Sequence, residues 1–292
     1  MSNNEENENT TTNNNNNCPR DKPATTFIPD PYLQTLYTQE QFGVVLVAAW
    51  PPSQSFIEKY EKFVSRVKQC FGPIDIHLEQ LNTPADNDDV PISIPNAYIY
   101  PPQYMHITVA TFHPMNQSFF TNENDTDNND DENMKKKRME SYKQACTKIV
   151  QNAMQRNDWP KEKFHLQIDR AQIGEKAGIL LWKHVDGGEG RGQGILHRMR
   201  NILQVEYEKF VLRDSSIQSR SSSSSTSIEI PKGKEIIIPG IIHSTFLRFS
   251  SIPVIPGEIV QDKFQSTVQP YVKEMFGDVC VDSVRLVVEK KA

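Results

Sequence analysis

The chain has 292 residues, of which 37% are hydrophobic and 24% are charged, and its formal net charge is −5. That length and apolar content indicate a globular, soluble protein with a real core. No apolar stretch approaches the roughly 20 residues of a membrane span, and residues 1–17 lack the basic and apolar regions of a signal peptide. We therefore expect an intracellular protein, cytoplasmic or nuclear, that does not contact a membrane.

The acidic excess is concentrated in two polar segments. Residues 1–24 hold four acidic and two basic side chains, and residues 121–133 hold six acidic and no basic ones. The rest of the chain has 27 acidic and 30 basic side chains, so it is slightly basic. This balance suits a phosphate-bearing ligand but does not identify one.

Three segments are too polar to contribute to a core. The Asn-rich opening predicts a disordered tail over residues 1–25, and polar inserts are expected near residues 116–133 and 214–234. Residues 26–292 are expected to form a single two-lobed domain, and we expect the protein to be a monomer.

The apolar periodicity divides the core into two halves with a similar order of elements. In the first half it predicts a strand at 42–50, a helix with a capping box at Ser55 and Glu58, strands at 97–100 and 105–112, and a helix with an apolar stripe over 139–153. In the second half it predicts a hairpin at 164–171 and 178–183, a helix over 196–210, a strand at 241–249, a helix over 260–275 and a closing strand at 279–289. The repeated order predicts an α+β fold with two pseudo-symmetric lobes, each with an antiparallel sheet and helices, around a central cleft.

One predicted strand in each half carries the same short motif. His106 is followed two residues later by Thr108, and His243 is followed two residues later by Thr245. Because side chains alternate between faces along a strand, each histidine shares a face with its threonine. If the two strands face each other, two imidazoles and two hydroxyls meet in one pocket.

Such a pocket has the groups needed for in-line displacement at phosphorus. A neutral imidazole can take a proton from the attacking oxygen while a protonated one gives a proton to the leaving oxygen. The threonine hydroxyls can donate to the non-bridging phosphate oxygens. This scheme needs no metal, and the sequence has no group of carboxylates, histidines or thiols with clear ligand spacing, so we predict neither a metal nor another cofactor.

With these motifs the chain resembles the 2H phosphoesterases, the LigT-like group that includes cyclic phosphodiesterases and 2′-5′ RNA ligase-like proteins. That family carries two His-x-Thr/Ser motifs, one in each lobe of a two-lobed α+β fold. Here His106 and Thr108 match the first motif and His243 and Thr245 match the second, within a resemblance that covers about residues 42–290.

The resemblance implies that His106 and His243 act as acid and base and that Thr108 and Thr245 bind phosphate. The implied substrate is a nucleoside 2′,3′-cyclic phosphate, an RNA end or a 2′-5′ linkage, so the expected partner is a nucleotide or RNA phosphodiester. Which histidine is the base stays open.

Residues beside the motifs are candidates for recognition of a base. Strand alternation puts Tyr104 on the face of His106, and Leu247 and Phe249 on the face of His243. Together they would form a wall beside the phosphate on which a base can stack. An equally good interpretation of these side chains is that they belong to the core.

Two residues of the second motif strand carry further expectations. Strict alternation puts Arg248 on the face away from His243, where we expect it to form a salt bridge, and it would reach a phosphate only if the strand bends. Ser244 stands where the family usually has an apolar residue, which indicates a less tightly packed strand. Ser244 and the acidic insert leave a non-catalytic nucleotide or RNA-end binding module as an alternative, and the polar inserts leave an interaction protein as a third.

Overall fold

The computed structural model describes residues 26–30, 42–71, 97–115, 117, 119, 132–185, 194–218, 235–253 and 255–289. The predicted tail over residues 1–25 and most of the two predicted inserts lie outside these ranges. Helical structure reaches into both inserts, since one helix begins at Glu132 and another ends at Gln218.

The described part of the chain contains eight strands and five α-helices. The strands are β1 (Gly43–Ala49), β2 (Ala97–Ile99), β3 (His106–His113), β4 (Phe164–Ile173), β5 (Ala177–His184), β6 (His243–Phe249), β7 (Asp278–Val281) and β8 (Ser283–Glu289). The helices are α1 (Gln54–Cys70), α2 (Glu132–Gln155), α3 (Ile195–Gln218), α4 (Gly257–Thr267) and α5 (Val272–Met275). All predicted elements are present, and two of them are divided.

The strands form two antiparallel sheets. One has three strands in the order β3-β1-β8, and the other has five in the order β2-β6-β5-β4-β7. The predicted α+β fold, with an antiparallel sheet and helices in each lobe, is confirmed. The motif strands β3 and β6 belong to different sheets and contact each other.

The two lobes do not correspond to the two halves of the chain. Strand β2 from the first half pairs with β6, and β8 at the end of the chain pairs with β1. In the same way, α1 contacts α4 and α5 of the second half, while α3 contacts β3 of the first half. Each lobe is therefore built from both halves, and the motif strands meet where these parts interleave.

The predicted closing strand at 279–289 is wrong as a single element. β7 pairs with β4 in the five-stranded sheet, and β8 pairs with β1 in the three-stranded sheet. Between them lies Asp282, whose N–H donates to the carbonyl of Ala49 (3.4 Å). A signal for this change of sheet is present in the sequence, because the apolar positions are odd-numbered at 279 and 281 and even-numbered at 284 and 286.

The helix predicted over 260–275 is divided for a chemical reason. α4 ends at Thr267, and a 3₁₀ turn over Gln269–Tyr271 separates it from α5. Pro270 lacks an N–H and cannot continue the helical hydrogen bonds, so the chain tightens there.

The N-terminal cap of helix α1 lies before the predicted one. The hydroxyl oxygen of Ser53 accepts a hydrogen bond from the N–H of Phe56 (3.1 Å), which makes Ser53 the N-cap. The predicted capping box at Ser55 and Glu58 is wrong, because both residues lie inside the helix.

Aromatic side chains fasten the helices to the motif strands. The fully buried Phe63 of α1 packs edge-on against Phe246 of β6, with ring centroids 4.9 Å apart. On the other sheet, the Tyr142 hydroxyl of α2 donates to the carbonyl of Phe112 in β3 (2.6 Å). Burial of such a side chain stabilises the fold by roughly 1.5–3 kcal/mol. These contacts therefore fix the core-facing side of both motif strands.

Candidate functional site

Each motif strand exposes its histidine and threonine on one face. His106 and Thr108 of β3 are half-buried, while the intervening Ile107 is fully buried. The same alternation places His243 and Thr245 of β6 on the accessible face. The predicted pairing of an imidazole with a hydroxyl on each strand is therefore present.

A bulge follows the threonine in each strand. In β3 the partners of Leu46 and Val47 are Ala110 and Thr108, so Val109 is an extra residue. Because a bulge sets two residues opposite one, alternation resumes out of phase. Ala110 is buried for this reason, and Thr111 returns to the accessible face.

The bulge in β6 turns Arg248 toward the motif. Gly178 and Ile179 of β5 pair with Leu247 and Thr245, which leaves Phe246 as the extra residue. Phe246 and Leu247 are both buried, and Arg248 lies on the side of Thr245. The prediction that Arg248 points away from His243 is wrong, because it assumed strict alternation.

The two faces enclose a cavity of about 260 Å³. All five site residues predicted from the sequence line it, as do Thr111 and Arg248. Its lining consists of Asp30, Val45, Tyr100, Tyr104, His106, Thr108, Thr111, Pro114, Met115, His243, Thr245, Arg248 and Glu289. Two histidines, three threonines and a guanidinium thus meet in one space that is large enough for a phosphate group and part of a nucleoside.

The tautomer of His106 is fixed by the backbone. Its Nδ1 lies 2.8 Å from the carbonyl oxygen of Tyr104, and since a carbonyl only accepts, Nδ1 carries the proton and donates. Burial lowers the pKa of His106, and the positive charge of Arg248 lowers it further, against the opposing effect of the backbone hydrogen bond. Neutral His106 therefore has its lone pair on Nε2, ready to accept a proton.

Tyr104 lies on a turn rather than on the motif strand. It ends the 3₁₀ segment Pro102–Tyr104, and as a whole the residue is 60% exposed at the edge of the cavity. The other two members of the predicted stacking wall, Leu247 and Phe249, are fully buried in the core. For these two residues the stacking interpretation is wrong and the core interpretation is confirmed, because the bulge in β6 reverses the faces after Thr245.

Ser244 is tightly packed. It is 1% exposed, and its hydroxyl oxygen accepts a hydrogen bond from the indole Nε1–H of Trp182 in the neighbouring strand (3.0 Å). The expectation of a loosely packed second motif strand is wrong. The polar residue is stable there because its hydrogen bond is made inside the core.

Arg248 is held by a segment that precedes the first strand. Its guanidinium forms an ion pair with the carboxylate of Asp30, which confirms the predicted salt bridge, and it hydrogen-bonds the hydroxyl of Tyr100. Asp30 is 5% exposed, and its N–H donates to the carbonyl of Phe249 (2.8 Å). Phe27 stacks on Phe249 with centroids 4.5 Å apart, so residues 26–30 are anchored along β6.

Glu289 brings a carboxyl group to the same cavity from β8. It pairs with Gly43 of β1, and a Cβ at Gly43 would lie 2.7 Å from Glu289 Oε2, so a larger residue there would displace the carboxyl group of Glu289. Burial raises the pKa of Glu289, and the charge of Arg248 partly opposes that rise. A phosphate in the cavity would therefore meet a carboxyl group that ionises at a higher pH than an ordinary glutamate.

Arg200 of α3 lies behind the cavity and was not singled out from the sequence. It is 2% exposed and donates to the carbonyls of Thr108 (2.9 Å), Val109 (3.3 Å) and Ile241 (3.0 Å). A signal existed, since Arg200 falls four residues after Leu196 on the apolar stripe of its helix. Asp30 and Glu289 gave no such signal.

Within the described ranges, no group of three or more histidine, cysteine, aspartate or glutamate side chains is placed to hold a metal ion. Among those same residues, no helix is long and apolar enough to cross a membrane.

Comparisons with known proteins add little to this geometry. No protein-family model matches the chain, and no curated protein matches it. Among solved structures, the crystal structure of TT0787 of Thermus thermophilus aligns with 84% of this chain and 84% of its own, at 9% identity and a TM-score of 0.31. A likeness at that level does not show what the chain does.

Proposed function

We propose that this cavity is the active site of a metal-independent phosphodiesterase that acts by paired-histidine acid and base catalysis. The observation that carries the proposal is that His106, Thr108, His243 and Thr245 line one cavity. They come from two different sheets and form two matching pairs around one space. Arg248 adds a positive charge on the same side.

In this reaction His106 is the base. Its lowered pKa keeps the imidazole neutral, and its Nδ1 is already committed to the Tyr104 carbonyl, so Nε2 accepts the proton of the attacking water. The water oxygen forms a bond to phosphorus as the bond from phosphorus to the ribose oxygen breaks. Protonated His243 gives its proton to that leaving oxygen.

The remaining cavity residues stabilise the phosphoryl group. The hydroxyls of Thr108 and Thr245 donate to the non-bridging oxygens, and the positive charge of Arg248 stabilises the negative charge that builds on these oxygens in the transition state. Asp30 and Tyr100 hold the guanidinium in place. Fixed donors of this kind need no rearrangement during the reaction, which is why they lower the barrier.

The substrate class follows from the resemblance and from the rim of the cavity. A nucleoside 2′,3′-cyclic phosphate is the first candidate, and an RNA end or a 2′-5′ linkage is the second. The exposed ring of Tyr104 offers a face on which a base can stack beside the phosphate.

The proposal is tested by phosphorus NMR of the protein with the four nucleoside 2′,3′-cyclic phosphates and a chelator. Wild type should convert them to monophosphates, and His106→Ala and His243→Ala should each lower the rate by a factor on the order of 10² to 10⁴. His197→Ala is the matched control, because His197 is an exposed histidine of α3 that does not line the cavity.

Equal rates in wild type and both cavity variants would overturn the assignment. Binding of the cyclic phosphates without conversion would instead support the non-catalytic binding module. The packing of Ser244 removes one of the two reasons for that alternative.

A further inference from the structure

Arg200 connects Thr108 of β3 to the residues that lead into β6. β3 and β6 belong to different sheets, and the backbone pairing between β3 and the described residues that lead into β6 is a single bridge between Thr111 and Ile237. One nitrogen of Arg200, Nη2, donates to the carbonyl of Thr108 in β3 and to that of Ile241, two residues before His243. A single guanidinium group thus holds the backbone beside both motifs.

The third hydrogen bond of Arg200 falls on the bulge of β3. Its Nε donates to the carbonyl of Val109, the extra residue of that bulge, at 3.3 Å. The bulge is what brings Thr111 back to the cavity face. Arg200 therefore also stabilises the backbone irregularity on which the shape of the cavity depends.

An arginine at position 200 is an unfavourable residue if its only role is to stabilise the fold. It is buried, burial lowers its pKa, and in the described part of the chain its partners are carbonyl oxygens rather than a carboxylate. Burying a charge without an ionic partner is unfavourable, and apolar residues of similar volume often stabilise such positions better. We therefore expect the positive charge of Arg200 to act on the cavity next to it.

We infer that Arg200 is a positioning residue that sets the spacing of the two motif strands and that its buried charge strengthens binding of a phosphate anion in the cavity. The inference rests on the proposed function for its catalytic consequence. The effect on anion binding does not require turnover.

The test compares Arg200→Met and Arg200→Lys with wild type in two measurements. Calorimetry with inorganic phosphate reports anion affinity, and kcat and KM for uridine 2′,3′-cyclic phosphate report catalysis. Arg200→Met should weaken phosphate binding about tenfold, as expected for loss of a nearby charge at an effective dielectric of about 20. It should also lower kcat by about tenfold or more, because strand spacing changes the reacting geometry.

Arg200→Lys separates the two parts of the inference. A lysine keeps the charge on a flexible stem but loses the planar fork that spans two carbonyls. Phosphate affinity should therefore stay within about threefold of wild type, while kcat should still fall by about tenfold. Arg156→Met, which removes a partly exposed arginine paired with Asp158 and Glu206, is the control for net charge.

Wild-type phosphate affinity in folded Arg200→Met would overturn the role of the charge. Wild-type kcat in Arg200→Lys would overturn the role in spacing, and if Arg200→Met does not fold, Arg200→Gln takes its place as the uncharged variant. If wild type hydrolyses no phosphodiester but binds phosphate in an Arg200-dependent way, the proposed function fails and the inference on anion binding stands.

Discussion

β3 and β6 present their first two cavity residues, a histidine and a threonine, at the same spacing, but the third is Thr111 on β3 and Arg248 on β6. The backbone of both strands has the same course as far as these third residues, since a bulge follows the threonine in each. The two strands differ in the charge of the third side chain, because Thr111 is neutral and Arg248 is positive. Two strands of matching geometry can therefore play unequal parts in one reaction.

The two strands also differ in the contacts made at their ends. On the β3 side, His106 is tied to a backbone carbonyl and its pKa is lowered. On the β6 side, Arg248 is tied to Asp30, an acidic residue 218 positions earlier in the chain. We interpret β3 as the side that removes a proton and β6 as the side that carries the cation for the phosphate.

The largest expected difference between the strands lies at these third positions. Arg248→Gln should lower kcat/KM for uridine 2′,3′-cyclic phosphate by a factor on the order of 100, the typical effect of losing one transition-state donor. Because the variant leaves buried Asp30 without its cation, urea denaturation checks that it is folded. Thr111→Val should lower kcat/KM only about threefold, because it removes a neutral hydroxyl. Equal losses in the two variants would contradict the division of roles.

The second difference is visible in the dependence on pH. If His106 is the base, kcat/KM falls as the pH drops through its lowered pKa. Because the charge of Arg248 contributes to that lowering, Arg248→Gln should raise the pKa of His106 and move the acid limb of the profile to higher pH. Profiles at constant ionic strength measure the shift, and His197→Ala, which removes an exposed histidine, should leave the limb in place. An unmoved acid limb in Arg248→Gln would show that another group is the base.

These comparisons also show which parts of the site a sequence can reveal. The pairing of His106 with Thr108, and of His243 with Thr245, follows from strand alternation, which is a local property. The bulges depend on register with β1 and β5, so the position of Arg248 could not be derived from its own strand. The fold class was predictable because it also follows from the periodicity of apolar residues, which is a local property.

Long-range partners were outside the reach of sequence patterns. Asp30 and Glu289 enter the cavity because residues 26–30 lie along β6 and because β8 crosses to β1. Neither placement produces a periodic pattern in the sequence around Asp30 or Glu289. Arg200 did leave one, as a cation on an apolar helical stripe.

A smaller effect is expected on the β1–β8 edge of the cavity. Ionised Glu289 opposes a phosphate anion, and burial raises its pKa, so affinity should be highest below that raised pKa and fall as the pH rises through it. Glu289→Gln should remove this pH dependence and raise affinity at neutral pH about threefold to tenfold. Calorimetry with uridine 2′,3′-cyclic phosphate on the His106→Ala background measures binding without turnover.

Glu258→Gln is the control for that measurement, because Glu258 is an exposed carboxylate of α4 that does not line the cavity. It should leave both the affinity and its pH dependence unchanged. Weaker binding in Glu289→Gln would mean that this carboxyl group donates to the ligand as a neutral acid instead of opposing it.

The smallest effect on activity is expected between the histidine and the threonine, where β3 has Ile107 and β6 has Ser244. Ser244→Ala should lower the free energy of unfolding by about 1–3 kcal/mol, because Trp182 Nε1–H loses its buried acceptor. It should leave kcat/KM within about twofold, since that side chain faces the core. Urea denaturation and the cyclic phosphate assay measure the two effects, and Ser266→Ala, at an exposed hydroxyl of α4, should change stability by less than about 0.5 kcal/mol. A loss of activity without a loss of stability in Ser244→Ala would mean that this hydroxyl acts on the cavity, and that the two motif strands differ in function at this position as well as at the third.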